Sequence, residues 1–193
     1  MDASIDPLRQ FEAWLAEAEK TEPNDANAMS VATVTADGQP SVRILLLKGV
    51  EDGAFQFFTN YESRKARELA TGRAALCFHW KSLRRQVRVA GTVEKLPAGA
   101  SDAYFATRER GSQIGAHASR QSAPLASRDV LKQAVAEAEA EYRDKRVPRP
   151  AHWGGYRLVP AEIEFWIDRP YRLHDRFVFT RDGAGWAVQR LYP

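Results

Sequence analysis

Long apolar runs are missing from this chain of 193 residues, and cysteine is almost absent. The longest aliphatic run, residues 44–47, is far shorter than the about 20 residues of a membrane-spanning helix, so we expect no membrane contact. The single cysteine, Cys77, excludes an intramolecular disulfide, and its apolar surroundings predict an inert core thiol. The N-terminus has no cationic-then-apolar signal pattern, so we expect a cytoplasmic protein.

Common cofactor and metal motifs are missing too. There is no G-x-G-x-x-G or Walker A loop, which disfavours classical dinucleotide and ATP folds. The four histidines are scattered without zinc-ligand spacing, so we predict no metal site. The net charge of +3 is compatible with nucleic acid and equally with small anions. Because the arginines do not gather on one helix face, we predict no nucleic-acid partner.

The elements that are present predict one domain of the α+β class, mainly β. A helical lead-in (1–27) precedes short strands between residues 29 and 95, interrupted by a helix at 64–70. Helices at 98–108 and 129–143 form a helical insertion (98–150), and strands at 156–160, 162–167, 177–181 and 186–191 close the fold (155–193). Many short antiparallel strands with few helices indicate a β-barrel with flanking helices.

Polar residues concentrate near the end of the chain, where Arg172, His174 and Arg176 lie between two apolar stretches. Guanidinium groups bind anions bidentately, and imidazole exchanges a proton near neutral pH. These residues predict a site for a small phosphorylated or aromatic anion. A charged surface turn is the alternative interpretation. For nearby Trp166, a place in the core and a place against an aromatic cofactor both remain open.

Two further groups of donors suit anions. Arg64 and Lys65 begin a short helix, where cations oppose the helix dipole unless an anion is bound. Tyr104 and Arg108 are one helical turn apart, and Ser112 follows the predicted helix. Each of these residues, taken alone, could equally be an ordinary surface residue that contacts no ligand. Together the two groups suit two phosphorylated ligands.

Several short motifs occur in a fixed order along nearly the whole chain. They are Arg43-Ile44-Leu45-Leu46-Leu47-Lys48, Phe58-Thr59-Asn60, Ser63-Arg64-Lys65, Arg85-Gln86-Val87, Ser112-Gln113-Ile114-Gly115-Ala116, Gln121-Ser122, Trp153-Gly154-Gly155-Tyr156, Glu164-Phe165-Trp166 and Arg172-Leu173-His174-Asp175-Arg176. With these motifs the chain resembles the pyridoxine (pyridoxamine) 5′-phosphate oxidase family, flavin enzymes with an FMN-binding split β-barrel. The resemblance implies that fold with flanking helices, and a homodimer with FMN at the subunit interface.

The resemblance also implies an activity and a set of site residues. The reaction is FMN-dependent oxidation of pyridoxamine 5′-phosphate and pyridoxine 5′-phosphate to pyridoxal 5′-phosphate, with O2 as acceptor and H2O2 as product. The implied cofactor contacts are Arg43, Ile44, Leu45, Leu46, Leu47, Lys48, Phe58, Thr59, Arg64, Lys65, Gln86, Gln121, Ser122, Trp166 and Arg176. The implied substrate contacts are Lys48, Tyr104, Arg108, Ser112, Arg172, Leu173 and His174, of which Arg172 and His174 are the implied catalytic residues.

Two alternatives stay open at the level of the sequence. One is a related split-barrel flavin oxidase, such as an enzyme of phenazine biosynthesis. The other is a non-catalytic protein that binds FMN or pyridoxal phosphate.

Overall fold

The computed structural model describes residues 5–193, whose nine strands form one antiparallel sheet that curls into a half-barrel. The strands are β1 (Ala28–Val34), β2 (Pro40–Leu46), β3 (Gly49–Glu51), β4 (Ala54–Asn60), β5 (Arg73–Trp80), β6 (Arg85–Lys95), β7 (Trp153–Ile167), β8 (Asp175–Asp182) and β9 (Gly185–Leu191). The helices are α1 (Pro7–Thr21), α2 (Arg64–Leu69), α3 (Ala98–Thr107), α4 (Arg110–Ala118) and α5 (Arg128–Glu141). The predicted mainly-β architecture is confirmed. No helix among residues 5–193 is long and apolar enough to cross a membrane.

Asp6 followed by Pro7 predicts the start of helix α1, which packs on the main hydrophobic core. The Asp6 carboxylate caps it by accepting from the Leu8 amide at 2.9 Å. Its apolar face is buried, and the Phe11 ring meets the rings of Phe55 and Phe78 edge-on at 4.9 and 4.8 Å. This aromatic contact fixes the helix on the main hydrophobic core.

Strand β7 divides the sheet into two parts. The prediction of separate strands at 156–160 and 162–167 was wrong, because one continuous strand pairs with β6 along its length. On its other side, the first half of β7 pairs with β4 and the second half with β8. A bulge between Ala90 and Gly91 lies opposite Pro160, where a Cβ on Gly91 would stand 2.0 Å from the Val159 carbonyl oxygen. Pro160 has no N–H group to donate to β6, and the bulge accommodates it without interrupting β7.

Helix α4 was not predicted. The first insertion helix ends at Thr107, and Arg108 has extended backbone, so the expected helical pairing of Tyr104 with Arg108 was wrong. Residue Glu109 gives α4 no side-chain cap, and two glycines lower its helix propensity. Tertiary contacts replace these local signals: Ile114 is buried, and Arg110 donates to carbonyl oxygens at the end of α5.

Candidate functional site

A cleft of about 540 Å³ lies between strands β2 and β4 and helices α3 and α4, a size typical of small-molecule sites. It brings together ten of the predicted residues and two that were not predicted, Glu109 and Trp153. The predicted residues are Ile44, Leu45, Leu46, Lys48, Phe58, Thr59, Tyr104, Arg108, Ser112 and Gln121. The Trp-Gly-Gly-Tyr motif was the available signal for Trp153, whereas Glu109 had none.

Aromatic rings form one wall of the cleft. The Phe58 ring is stacked 3.9 Å from the Tyr104 ring and 5.5 Å from the Trp153 ring, with interplanar angles of 18° and 12°. Two cations lie against this wall: Lys48 Nζ is 5.9 Å from the Tyr104 ring centre, and the Arg108 guanidinium is 4.6 Å from that of Trp153. Flat apolar surfaces beside cations suit a planar ligand that carries negative charge.

Arg108, which lines the cleft, has one buried donor without a partner in the described part of the chain. Its Nη1 is buried and has no hydrogen-bond partner among the described residues. Burial lowers the pKa of the guanidinium from its usual value. Because a buried donor without a partner costs about 1–3 kcal/mol, an anion bound here would be stabilising.

A second cation is buried beside the cleft. The Lys65 ammonium donates to Gln121 Oε1 at 2.8 Å and to the Thr59 hydroxyl at 3.3 Å. Burial and the charge of Arg43 lower its pKa. Within residues 5–193 no carboxylate lies at ion-pair distance from Lys65. The amide and hydroxyl orient the ammonium without neutralising it, which leaves its charge available to an anionic ligand.

Arg43 and Arg64 do not line the cleft, and both are held by Glu68. Arg43 Nη2 lies 2.9 Å from Glu68 Oε2, and Arg64 Nε lies 2.7 Å from Glu68 Oε1. Burial alone would raise the pKa of Glu68. Hydrogen bonds from Ser41, Thr33, Arg64 and Arg43 outweigh this effect and lower the pKa to about 2. Glu68 was not predicted, although its spacing of four residues from Arg64 was a usable signal.

Two other predicted cofactor contacts lie outside the cleft. Leu47 is only 3% exposed and packs in the main core. Ser122 follows Gln121 and has a positive φ of 73°, but it is not among the residues that line the cleft. The stretch that begins at Arg43 therefore divides by strand alternation, with Ile44 exposed and Arg43 turned to the opposite side.

The remaining predicted residues form a separate C-terminal cluster on β6, β7, β8 and the turn before β8. Gln86, Trp166 and Arg176 are neighbours across three strands. The His174 ring lies 4.5 Å from the Trp166 ring, and Arg172 and Leu173 are exposed in the turn. Trp166 is only partly buried, so the structure does not support its placement in the core. The cluster combines an aromatic surface with a cationic turn.

Carboxylates orient the cations of the C-terminal cluster. Buried Glu164 accepts from Arg176 Nε at 2.7 Å and from Arg88 Nη1 at 2.8 Å. Its hydrogen bond raises the pKa of Arg176. Asp175 forms ion pairs with Arg169 and Arg190, which lower its own pKa. Asp175 thus connects Arg169, before the turn, to Arg190 on β9.

His174 is held in the same turn through its Nδ1 atom. The Arg169 amide lies 3.2 Å from Nδ1, and Asp168 Oδ1 lies 3.1 Å from it. Nδ1 accepts from the amide when it carries no proton and donates to Asp168 when it carries one, so either form holds the ring through this atom. The ring therefore has a fixed orientation beside Trp166.

The cleft and the C-terminal cluster are far apart within one chain. Trp153 of the cleft and Trp166 of the cluster are 13 positions apart on β7, which corresponds to about 40 Å of strand. No residue of the C-terminal cluster lines the cleft, so the two groups form separate surfaces within one chain.

Family comparisons cover most of the chain. The family described as pyridoxamine 5′-phosphate oxidase matches residues 15–142, and the one described as the pyridoxine 5′-phosphate oxidase C-terminal dimerisation region matches residues 153–193. A relative from Gluconobacter oxydans (strain 621H), named pyridoxine/pyridoxamine 5′-phosphate oxidase, is 58% identical over 100% of this chain and 97% of its own. A relative of the same name from Mesorhizobium japonicum is 57% identical over 98% of this chain and 94% of its own.

Solved structures show the same fold. PhzG from Burkholderia lata 383, crystallised with tetrahydrophenazine-1-carboxylic acid, has a TM-score of 0.93 and 33% identity, covering 100% of this chain and 95% of its own. A pyridoxamine 5′-phosphate oxidase-related, FMN-binding protein from Nostoc punctiforme has a TM-score of 0.78 and 17% identity, with coverage of 98% and 100%. The second likeness concerns the fold alone.

Proposed function

Because the chain belongs to the pyridoxine/pyridoxamine 5′-phosphate oxidase family, we propose that it oxidises pyridoxamine 5′-phosphate and pyridoxine 5′-phosphate to pyridoxal 5′-phosphate. The proposal includes FMN as cofactor, O2 as electron acceptor and H2O2 as product. Family membership supports an oxidoreductase of this type. The observation that favours a phosphorylated ligand is that Arg108, a residue that lines the cleft, has a buried donor without a partner within residues 5–193.

The residues present fit FMN. Ile44 and Leu46 offer an apolar surface, and Lys65 offers a buried charge that Gln121 and Thr59 orient. We propose that Lys65 and Arg64 hold the cofactor phosphate. When bound, FMN supplies the acceptor for the hydride equivalent that leaves C4′ of the substrate. The protein's own part is then to position the substrate and to stabilise charge.

A different set of donors would hold the substrate phosphate. Lys48, Tyr104, Arg108 and Ser112 all line the cleft. Hydrogen bonds between such charged groups contribute about 1.5–3 kcal/mol each. Several together account for selective binding of a small phosphate ester.

We propose that the working enzyme is a homodimer whose site combines the cleft of one subunit with the C-terminal cluster of the other. The separation of Trp153 from Trp166 along β7 supports this arrangement. The match of residues 153–193 to a dimerisation region supports it as well. Two-fold symmetry then gives two equivalent sites, because each subunit contributes both halves.

In that arrangement Arg172 and His174 would contact the pyridine side of the substrate. The exposed Arg172 side chain is free to reach across an interface, and the His174 ring is oriented through Nδ1. We propose that Arg172 and His174 orient the ring and stabilise charge at C4′. Gln86, Trp166 and Arg176 would lie against the flavin.

One assay tests the activity. The purified protein is examined for a flavin absorption spectrum and then mixed under air with pyridoxamine 5′-phosphate or pyridoxine 5′-phosphate. We expect the aldehyde and an equivalent amount of peroxide. A yellow protein that is inert to both substrates would contradict the oxidase proposal and support a non-catalytic binder.

Replacing Arg172 tests the catalytic assignment. We expect Arg172→Leu to lower kcat/KM by about 100-fold or more, because charge stabilisation at C4′ is lost, while FMN stays bound. Arg181→Leu is a matched control, since Arg181 lies on β8 against Trp186, outside the cluster. Steady-state kinetics and the flavin spectrum measure both properties. Unchanged turnover of Arg172→Leu would refute the assignment.

A second candidate follows from the similarity to PhzG. A flavin oxidase that acts on a reduced phenazine carboxylic acid would not need the phosphate donors of the cleft. Parallel assays with a dihydrophenazine carboxylic acid and with unphosphorylated pyridoxine distinguish the candidates. We expect turnover of neither compound.

A further inference from the structure

Glu68 is a buried carboxylate whose two oxygen atoms are both used. It is 3% exposed. Oε2 accepts from Ser41 Oγ at 2.5 Å, from Arg43 Nη2 at 2.9 Å and from the Thr33 hydroxyl, while Oε1 accepts from Arg64 Nε at 2.7 Å. The four donors come from β1, β2 and α2, so one side chain joins three elements.

The two arginines are held to different degrees. Both terminal nitrogens of Arg43 are occupied, because Nη1 donates to the Val31 carbonyl at 3.0 Å and to the Thr33 hydroxyl at 2.5 Å. The Arg64 side chain is 57% exposed and uses only Nε toward Glu68. Its terminal nitrogens remain available to a ligand while its stem is fixed.

Charges in this corner of the molecule are unequal. Arg43, Arg64 and Lys65 are three cations around one carboxylate, and the charges of Arg43 and Glu68 both act on the pKa of Lys65. The surplus is positive, so Glu68 reduces repulsion between the cations without cancelling their attraction for an anion.

We propose that Glu68 is a positioning residue for the phosphate of the flavin cofactor. It holds Arg64 through Nε, so that the terminal nitrogens of Arg64 can meet a phosphate bound by Lys65, the next residue of α2. A free arginine loses side-chain entropy when it binds, and an arginine already held by a carboxylate loses less. This inference rests on the proposed function, because it takes FMN to be the ligand.

Binding of two flavins to the apoprotein tests the role. Fluorescence titration gives Kd for FMN and for riboflavin, which lacks the phosphate. For Glu68→Gln we expect FMN binding about tenfold weaker, as expected when one side chain must be ordered on binding, and riboflavin binding within about twofold of wild type. Glu94→Gln is the matched control, because it also removes a glutamate–arginine pair, with Arg157, but on β6 away from α2.

Each outcome decides the inference. Equal losses for FMN and riboflavin, unchanged FMN affinity, or tighter FMN binding would each overturn it. If Glu68→Gln does not fold, Glu68→Asp keeps the charge but withdraws the carboxylate, and a loss confined to FMN is again expected. In the Arg64→Gln background, Glu68→Gln should weaken FMN less than it does in wild type. A wild-type chain that binds no FMN would instead refute the proposed function itself.

Discussion

Single buried carboxylates organise the cations at both predicted halves of the site. Glu68 holds Arg43 and Arg64, while Glu164 holds Arg88 and Arg176. A buried carboxylate without partners would be costly, whereas each of these accepts hydrogen bonds from two guanidinium groups. The arginines in turn gain a fixed direction. Residue by residue, the site depends on glutamates as much as on the cations that would contact ligand.

The lowered pKa of Glu68 predicts a loss of stability in acid. Its folded-state value of about 2 lies below the usual 4.5, so its stabilisation is complete above pH 4.5 and is lost as the pH falls toward 2. Between pH 6 and pH 3.5 the protonation of Glu68 should lower the free energy of unfolding by on the order of 1 kcal/mol. Urea titrations of wild type and Glu68→Gln at both pH values measure the difference. Equal pH dependence of the two proteins would contradict the prediction.

At the scale of elements, β7 brings the helical insertion against the sheet through two glycines. Gly154 and Gly155 follow Trp153, and a Cβ on Gly155 would lie 2.5 Å from Leu96 Cδ1 and 2.8 Å from Phe58 Cε1. Phe58 belongs to the aromatic wall of the cleft. The missing side chain at Gly155 therefore sets the position of that wall.

Gly155→Ala should destabilise the fold and displace Phe58. We expect a loss of about 1–3 kcal/mol in the free energy of unfolding, because a methyl group enters a filled space. Gly115→Ala is the control, since nothing lies within 4 Å of its added Cβ and alanine favours α4 by up to about 1 kcal/mol. Urea denaturation measures both variants. A Gly155→Ala protein as stable as wild type would show that the contact is not restrictive.

On the scale of the whole molecule, one sheet face carries predicted flavin contacts from both groups, with Ile44 at one end and Gln86 and Trp166 at the other. Ile44 pairs with Ser30, Ser30 with Cys77, Cys77 with Arg88 and Arg88 with Glu164, and directly paired residues share a face. Cys77 is therefore on this face and only partly buried, not in the core as expected. Ile44 and Val42 on the same face are 62% and 65% exposed. A face with this apolar exposure is typical of an interface.

The proposed shared site predicts complementation between two inactive variants. Arg108→Leu damages the cleft and Arg172→Leu damages the C-terminal cluster, so each homodimer should be nearly inactive. A doubly tagged heterodimer of the two variants should retain about half of wild-type activity, because one of its two sites then has both halves intact. Activity of the purified heterodimer is the measurement. An inactive heterodimer would place both halves of the site in one chain.

The local sequence pattern was enough to predict much of the secondary structure. Apolar alternation and turn residues determined most strands, and Asp6 with Pro7 determined the start of α1. The order of the motifs determined the family. These features depend on neighbours in sequence, which is why they can be predicted from it.

Tertiary structure decided the rest, because it joins residues that are distant in sequence. Helix α4 forms through contacts with α5, and β7 is continuous because a bulge in β6 accommodates Pro160. The C-terminal cations first stood out in the sequence as one anion site. The structure separates them from the cleft within a single chain, because β7 is one continuous strand with Trp153 at its start and Trp166 near its end.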